Sequence, residues 1–407
     1  MHTIRKKPEL LAPAGSLEKL KYAVMYGADA VYIGGKEFSL RARASNFSLD
    51  DIAEGVKFAK AHGAKVYVTT NIIAHNDNLD AYDQYIQSLE ACGVDAVICA
   101  DPYLAKRAIE IVDGMEVHIS TQQSITNSLA VNFWYNEGAT RIVLGRELSL
   151  DEIRSIVKNT KAEIEVFIHG GMCSSYSGRC TLSNNMTGRD ANRGGCAHSC
   201  RWSYQMYTSD GEKISSDEMA FSFSSRDLMA IRHIPELIEM GVDSMKIEGR
   251  MKSIHYIATV VGTYRKLIDD YFENPELCNF EQYYKEIEKS ENRLAAEGFL
   301  NGAPTENEQL YGSSTHPVSQ HFIGVVLEYD ERTGLATVEQ RNVFKVGEPI
   351  EIYGPGFKHI QTEITELMDE EFQPITIAPH PRQIVRMPLP HGVRPFDLIR
   401  TRRGWTA

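Results

Sequence analysis

The sequence has no apolar run long enough to serve as a secretory leader or to cross a bilayer, and its opening, Met1-His-Thr-Ile-Arg-Lys-Lys-Pro, runs straight into Glu9-Leu-Leu-Ala-Pro. The chain is therefore expected in the cytoplasm, with no membrane contact. It also lacks a Gly-x-Ser-x-Gly elbow and a His-Glu-x-x-His segment, so two common hydrolytic devices have no support in the sequence. Basic residues are outnumbered: 43 Lys and Arg stand against 55 Asp and Glu, and the net charge of −12 excludes a surface that is basic overall while leaving room for a local basic face. Cysteine is sparse, with 7 in 407 residues. In a reducing compartment these should not form structural disulfides, so any clustered subset points to metal binding or redox chemistry.

What is present, from residue 9 to about 270, is one recurring pattern of a short β-branched run, a turn and an amphipathic helical stretch. The runs begin at Glu9, Ala30, Lys65, Ala96, Glu116, Arg141, Glu165, Phe221 and Ser244. Gly27, Gly63, Gly93, Gly138 and Gly241 precede five of them, where glycine closes a helix in the left-handed conformation. The alternation predicts a TIM-like (β/α) barrel over 1–272, and nine candidate runs for about eight strands mean a distorted barrel or one run outside it, the short Phe221 segment being the weakest. Ile254, Ile257, Ala258, Val261, Tyr264, Ile268 and Tyr271 predict a helix over 253–272. A Cys-, Gly-, Ser- and Asn-rich insertion over 170–220 is too long for an ordinary βα loop. An acidic linker with a helical patch follows at 273–318, and the short, turn-punctuated runs of 319–407 predict a small antiparallel β-barrel domain.

Four of the cysteines fall in the insertion: Cys173, Cys180, Cys196 and Cys200, separated by six, fifteen and three residues. Four thiolates brought to one point repel one another unless a cation neutralises them, so the group suggests an iron–sulfur cluster, with zinc or a thiol redox pair as alternatives. The C-x6-C opening is wider than a structural zinc knuckle and favours iron–sulfur. Gly170-Gly171 and Gly194-Gly195 flank the pairs, and such glycines let backbone N–H groups approach cluster sulfurs. Cys92, Cys99 and Cys278 read as small semi-apolar residues.

The segment Glu165-Val-Phe167-Ile-His-Gly170-Gly-Met-Cys173-Ser-Ser-Tyr-Ser-Gly178-Arg-Cys180-Thr-Leu-Ser183 resembles the diagnostic stretch of peptidase family U32, the collagenase-like proteins, with Gly171 where the family usually has Ser or Ala. Glu9-Leu-Leu-Ala-Pro-Ala-Gly, Gly145-Arg-Glu-Leu-Ser and Lys246-Ile-Glu-Gly-Arg-Met-Lys extend the resemblance over most of the chain. It implies either a peptidase or an iron–sulfur protein for oxygen-independent hydroxylation of RNA or ubiquinone precursors. The length and C-terminal β domain look most like the tRNA 5-hydroxyuridine branch. That branch implies a 4Fe-4S cluster on the four cysteines, tRNA as partner, prephenate as a small carboxylate co-substrate, and room for a related family member as partner. A non-catalytic RNA-binding factor with structural zinc is a further alternative.

Residues just after barrel strands line the reactive face, and here they include Arg41, Arg43, Arg146, His169, Arg226, Glu248 and Arg250, with Asn71, Thr121 and Gln122 similarly placed. An arginine-rich pocket suits a small dicarboxylate or a phosphate, which guanidinium grips through paired hydrogen bonds. Between 380 and 407, Arg382, Arg386, Arg394, Arg400, Arg402 and Arg403 face a single acid, Asp397, with Trp405 nearby. This basic strip is expected to contact RNA phosphate and stack on a base.

Overall fold

The computed structural model describes residues 6–40, 46–216, 221–290, 293–310 and 320–402. The first seven strands are β1 (Glu9–Pro13), β2 (Ala30–Gly34), β3 (Lys65–Thr70), β4 (Ala96–Cys99), β5 (Glu116–Ile119), β6 (Arg141–Val143) and β7 (Glu163–Gly170). They pair in sequence order, all parallel. After β8 (Asp227–Met229), the strand β9 (Ser244–Ile247) pairs in parallel with both β1 and β7, which closes an eight-stranded barrel. Eight of the nine runs read from the sequence are its staves. The ninth is not: Phe221 makes a single antiparallel bridge with Tyr204. The strand in that region is β8, antiparallel to the last two residues of β7, which overshoots the barrel rim so that the insertion returns along it.

Helices α1 (Leu17–Met25), α2 (Leu49–Ala61), α3 (Tyr82–Ala91), α4 (Pro102–Ile111), α5 (Ser128–Asn136) and α6 (Leu150–Lys158) follow the first six strands. The insertion carries the short α7 (Leu182–Thr187), and α8 (Ile234–Met240), α9 (Ile254–Glu273) and α10 (Phe280–Glu288) complete the set. Ser48 and Ser149 start α2 and α6 with reciprocal capping boxes, and Ser253 caps α9, so the helix starts are written locally. The five glycines before strands all have φ between +75° and +108°, the conformation that lets each helix end and the chain turn into the barrel.

The barrel interior is charged on one side. Glu165 is fully buried, with Lys246 Nζ at 2.7 Å and Arg141 Nη1 at 3.4 Å. Arg141 also reaches Glu9 and Glu163, at 2.5 and 2.7 Å. Burial alone would push the Glu165 carboxyl up, but Lys246, Arg141 and His118 outweigh it and hold the group below its ordinary range. The Lys246 ammonium also lies over the rings of Tyr32 and Phe167.

Beyond β10 (Ala295–Ala296), the C-terminal part is an antiparallel domain of β11 (Gln320–Asp330), β12 (Leu335–Gln340), β13 (Phe344–Lys345), β14 (Pro349–Gly354), β15 (Lys358–Glu363), β16 (Leu367–Met368), β17 (Pro374–Ile375), β18 (Ile377–Ala378), β19 (Ile384–Pro388) and β20 (Leu398–Arg402). Eight of these form one sheet in the order β15-β14-β20-β11-β12-β19-β16-β17 around a core of its own, while β13 and β18 pair separately. The two domains share an apolar seam: Val325, Tyr353 and Leu398 belong to the barrel's core cluster, and the Tyr26 hydroxyl donates to the carbonyls of Tyr353 and Phe396.

His255 sits in that seam, fully enclosed, with Nδ1 2.5 Å from the Tyr353 hydroxyl, Nε2 3.1 Å from the Lys289 carbonyl, and the Phe322 ring stacked on it. A neutral imidazole satisfies both neighbours, accepting from the tyrosine and donating to the carbonyl. Burial, reinforced by Arg400, lowers the ring's pKa to about 4. Between pH 6.5 and about 4 the unfolded chain therefore binds a proton that the folded chain refuses, and stability falls as pH drops, by about 1.4 kcal/mol per pH unit. His255→Gln is expected to flatten the change in urea midpoint between pH 6.5 and 5 by the equivalent of about 2 kcal/mol. His118, likewise held low by burial, supplies a residual slope. Identical slopes in both proteins would show that the ring is not kept neutral.

Candidate functional site

The rim at the C-terminal ends of the strands carries the cysteine insertion. Gly170 ends β7 with φ +104°, and a Cβ there would lie 2.3 Å from the Glu248 carbonyl oxygen, so only glycine lets the chain leave β7 past β9. The insertion then folds back on the rim through polar contacts. Ile73, just after β3, donates its N–H to the Asn192 carbonyl at 2.9 Å. The Asn192 side chain accepts from the Cys180 N–H at 3.1 Å and donates to the Cys180 carbonyl at 3.0 Å. Arg193 holds Asp77 at 2.9 Å.

The two ends of the insertion are tied by one side chain. Arg201 donates to the Met172 carbonyl, the Ser224 hydroxyl and the Ser225 carbonyl. Because Met172 precedes Cys173 and Arg201 follows Cys200, this clamp holds the first and last cysteines of the set near each other. Cys200 is half-buried; burial pushes its thiol up, and negative charge on Cys173 and Cys196 adds to the rise while Arg201 opposes it. All four thiols are free; Cys173 and Cys196 are exposed and Cys180 is half-exposed. The Cys173 sulfur lies 2.9 Å from the Ser175 hydroxyl. The donor chemistry fits a thiolate-ligated centre: four cysteines without disulfides on one rim segment, with Cys200 within electrostatic reach of Cys173 and of Cys196. Their side chains are not drawn in to a common point, and among the described residues no three His, Cys, Asp or Glu side chains are grouped as a bound metal would require.

The arginines read as one pocket are engaged separately. Arg146 donates to the Gly171 carbonyl at 2.8 Å and lies over the Phe167 ring at 4.1 Å. Arg250 is buried, donating to Ser39 at 2.9 Å and to the Leu40 carbonyl. His169 is buried beside the Tyr264 hydroxyl at 3.3 Å, and the Glu248 carboxylate accepts from Tyr32 at 3.4 Å. Gln122 is buried and accepts from Asn71 at 2.8 Å, and the Thr121 hydroxyl donates to the Leu144 carbonyl. Arg41 and Arg43 lie outside the described residues. Arg226 lines a cavity of about 330 Å³ together with Met172, Cys173, Phe221, Phe223 and Phe299. Neither Arg146, Arg250, His169 nor Glu248 lines that space.

The basic strip is likewise divided. Arg400 is not at the surface: it is fully buried, with the carboxylates of Glu286 and Glu351 each at 2.7 Å. The reason is the strand period. β20 lies between β14 and β11, and residues 398 and 400 face the barrel while Ile399 faces the β-domain core. Arg386 lies over the Phe372 ring at 4.1 Å and donates to the Asp369 carbonyl at 3.2 Å, and Arg382 is largely exposed. The Arg402 side chain and all of Arg403 lie outside the described residues.

Two features went unread in the sequence. One is the buried Glu9, Arg141, Glu165 and Lys246 network; the other is a row of aromatic rings on the insertion, Trp202, Tyr204, Phe223 and Phe221. The alternation Trp202-Ser-Tyr204 and Phe221-Ser-Phe223 was its visible signal.

The model of peptidase family U32 matches residues 15–310, and that of its C-terminal domain matches residues 318–400. The chain belongs to peptidase family U32. Among its relatives in this family, tRNA hydroxylation protein P1 of Bacillus subtilis is 49% identical over 404 residues, 98% of this chain and 95% of the relative. tRNA hydroxylation protein P of Escherichia coli is 34% identical over 95% of each chain. A Porphyromonas gingivalis protein named collagenase is 31% identical over 96% of this chain and 97% of its own length. Within this U32 chain no helix of the described residues is long and apolar enough to cross a membrane.

Proposed function

We propose that this protein supports hydroxylation of a tRNA uridine. The observation that carries the reading is the end-to-end similarity to tRNA hydroxylation protein P1, 49% identical over 98% of the chain. The finer reading places a 4Fe-4S cluster on Cys173, Cys180, Cys196 and Cys200. When bound, it would supply electron transfer or activation of a substrate at the rim. Zinc is the alternative occupant of the same thiols.

The chain's own residues have simpler tasks. Arg201 and Asn192 hold the insertion against the rim, where Cys173 and Arg226 line one cavity. Arg226 offers charge-assisted hydrogen bonds to a small carboxylate such as prephenate, or to the RNA. The exposed Arg382 and partly exposed Arg386, together with Arg402 and Arg403, are proposed phosphate contacts on the β domain. Arg400 is left out of that set because its charge is spent on Glu286 and Glu351.

The test is deletion of the gene in its host, in a background without a compensating relative, followed by mass spectrometry of tRNA nucleosides. Hydroxylated uridine should disappear and return with the wild-type gene; unchanged modification would reject the role. Anaerobically purified protein should be brown and contain iron and labile sulfide. A colourless protein with stoichiometric zinc would remove the cluster from the reading.

A further inference from the structure

The row Trp202, Tyr204, Phe223 and Phe221 runs from the surface of the insertion into the wall of the cavity beside Cys173. Successive ring centroids are 6.5, 5.7 and 4.9 Å apart, and the last two contacts are edge-to-face. Trp202 and Phe223 are 41% and 44% exposed, a large apolar area for two side chains to leave in water. The row is not a loose loop. Tyr204 and Phe221 exchange two backbone hydrogen bonds of 2.7 and 3.0 Å, and the Tyr204 hydroxyl donates to the Ser199 carbonyl at 2.7 Å, next to Cys200. At the inner end Phe221, Phe223 and Phe299 wall the cavity, and the Arg226 Nε there is buried with no hydrogen-bond partner among the described residues.

We propose that this row is a stacking platform for a single-stranded RNA segment, and that the cavity at its inner end receives one base swung out of that strand, a pyrimidine, beneath Arg226. The inference rests on the tRNA reading and deepens it, by naming the part of the molecule that meets the RNA loop. The chemistry is specific. An edge-to-face contact covers at most one face of one ring of the pair, the exposed Trp202 and Phe223 keep surface available to a partner, and base–aromatic stacking accepts any base in an unpaired strand. A paired helix offers no base faces, so the platform selects loops over duplex. The cavity lies at the small end of ligand sites, roughly 300–1,000 Å³, which suits a planar ring far better than a folded peptide. A guanidinium has donors only, and a pyrimidine presents carbonyl acceptors on its edge. The one carboxylate on the wall, Glu308, accepts from the backbone N–H and hydroxyl of Thr305 and lies within electrostatic reach of Arg226, so it is already engaged.

The probe is a fluorescently labelled RNA stem-loop with a uridine-rich loop, set against a fully paired duplex of the same length, with binding followed by anisotropy and by quenching of tryptophan emission. The wild type should prefer the stem-loop. Trp202→Ala and Phe223→Ala should each weaken stem-loop binding roughly tenfold or more, and Trp202→Phe should restore most of it. Trp202→Phe should also remove the share of the quenching that Trp202 contributes, which a purely structural role would not require. Arg226→Gln should reduce ultraviolet crosslinking of a bromouridine in the loop to the cavity wall. Phe133→Ala, exposed on α5, is the control expected to change nothing. Equal stem-loop affinity in wild type, Trp202→Ala and Phe223→Ala, with melting curves confirming folded proteins, would overturn the platform while leaving the tRNA reading standing. A wild type that ignores the stem-loop, together with unchanged tRNA after gene deletion, would remove both.

Discussion

Glu165→Ala is expected to destabilise the barrel by about 3–5 kcal/mol, read as a large drop in the urea midpoint followed by far-ultraviolet circular dichroism. The carboxylate is fully buried and is the ion-pair partner of Lys246, itself buried, so its removal strands an ammonium inside the barrel. Arg141 keeps Glu9 and Glu163 and suffers less. The aromatic rings over Lys246 soften the loss but do not replace a carboxylate at 2.7 Å. Because the cost comes from the stranded charge, removing both partners together should recover much of it: Glu165→Leu combined with Lys246→Met should lie well above Glu165→Ala. A single variant with wild-type stability would mean that water or a shifted side chain already neutralises Lys246, and the buried-charge account would fail.

That network also shows where sequence reading stops. The strands themselves were legible, because β-branched runs and the glycines before them are local signals, and those glycines do take the left-handed conformation. The charges were not. Glu9, Arg141, Glu165 and Lys246 lie on strands far apart in the chain, and only closure of β9 onto β1 and β7 turns them toward one interior. A charge within a strand run reads the same whether it faces a rim, solvent or a barrel lumen. Arg400 was misplaced for a related reason. The number of C-terminal arginines suggested a basic surface, but charge count carries no information on which sheet face a residue takes, and β20 sends Arg400 into the domain seam.

The insertion was legible as a segment after the seventh strand, since composition and glycines are local signals. Four cysteines after β7 were visible as a set, and the clamp through Arg201 to the Met172 carbonyl brings the ends of that set together. For the arginines, position after a strand places a residue at the rim, but it does not say whether the side chain lines a cavity, as for Arg226, or is engaged by neighbouring carbonyls and hydroxyls, as for Arg146 and Arg250. The aromatic row was visible in the sequence as residues and gained meaning only once the bridge between Tyr204 and Phe221 brought Phe221 and Phe223 beside Trp202 and Tyr204.

The largest functional effect is expected at Cys196. It is exposed on the insertion and carries no core packing, so Cys196→Ala should leave the fold and melting temperature of the metal-free chain nearly unchanged while removing one of four thiolates. The proposed four-cysteine centre would then lose a ligand, and iron and sulfide content should fall together with activity. The most direct measurement is nucleoside mass spectrometry of tRNA from a deletion strain carrying either the wild-type gene or Cys196→Ala, expressed to equal levels. The wild-type gene should restore hydroxylated uridine and Cys196→Ala should restore almost none; equal restoration by both would contradict a role for the cysteine centre in tRNA hydroxylation.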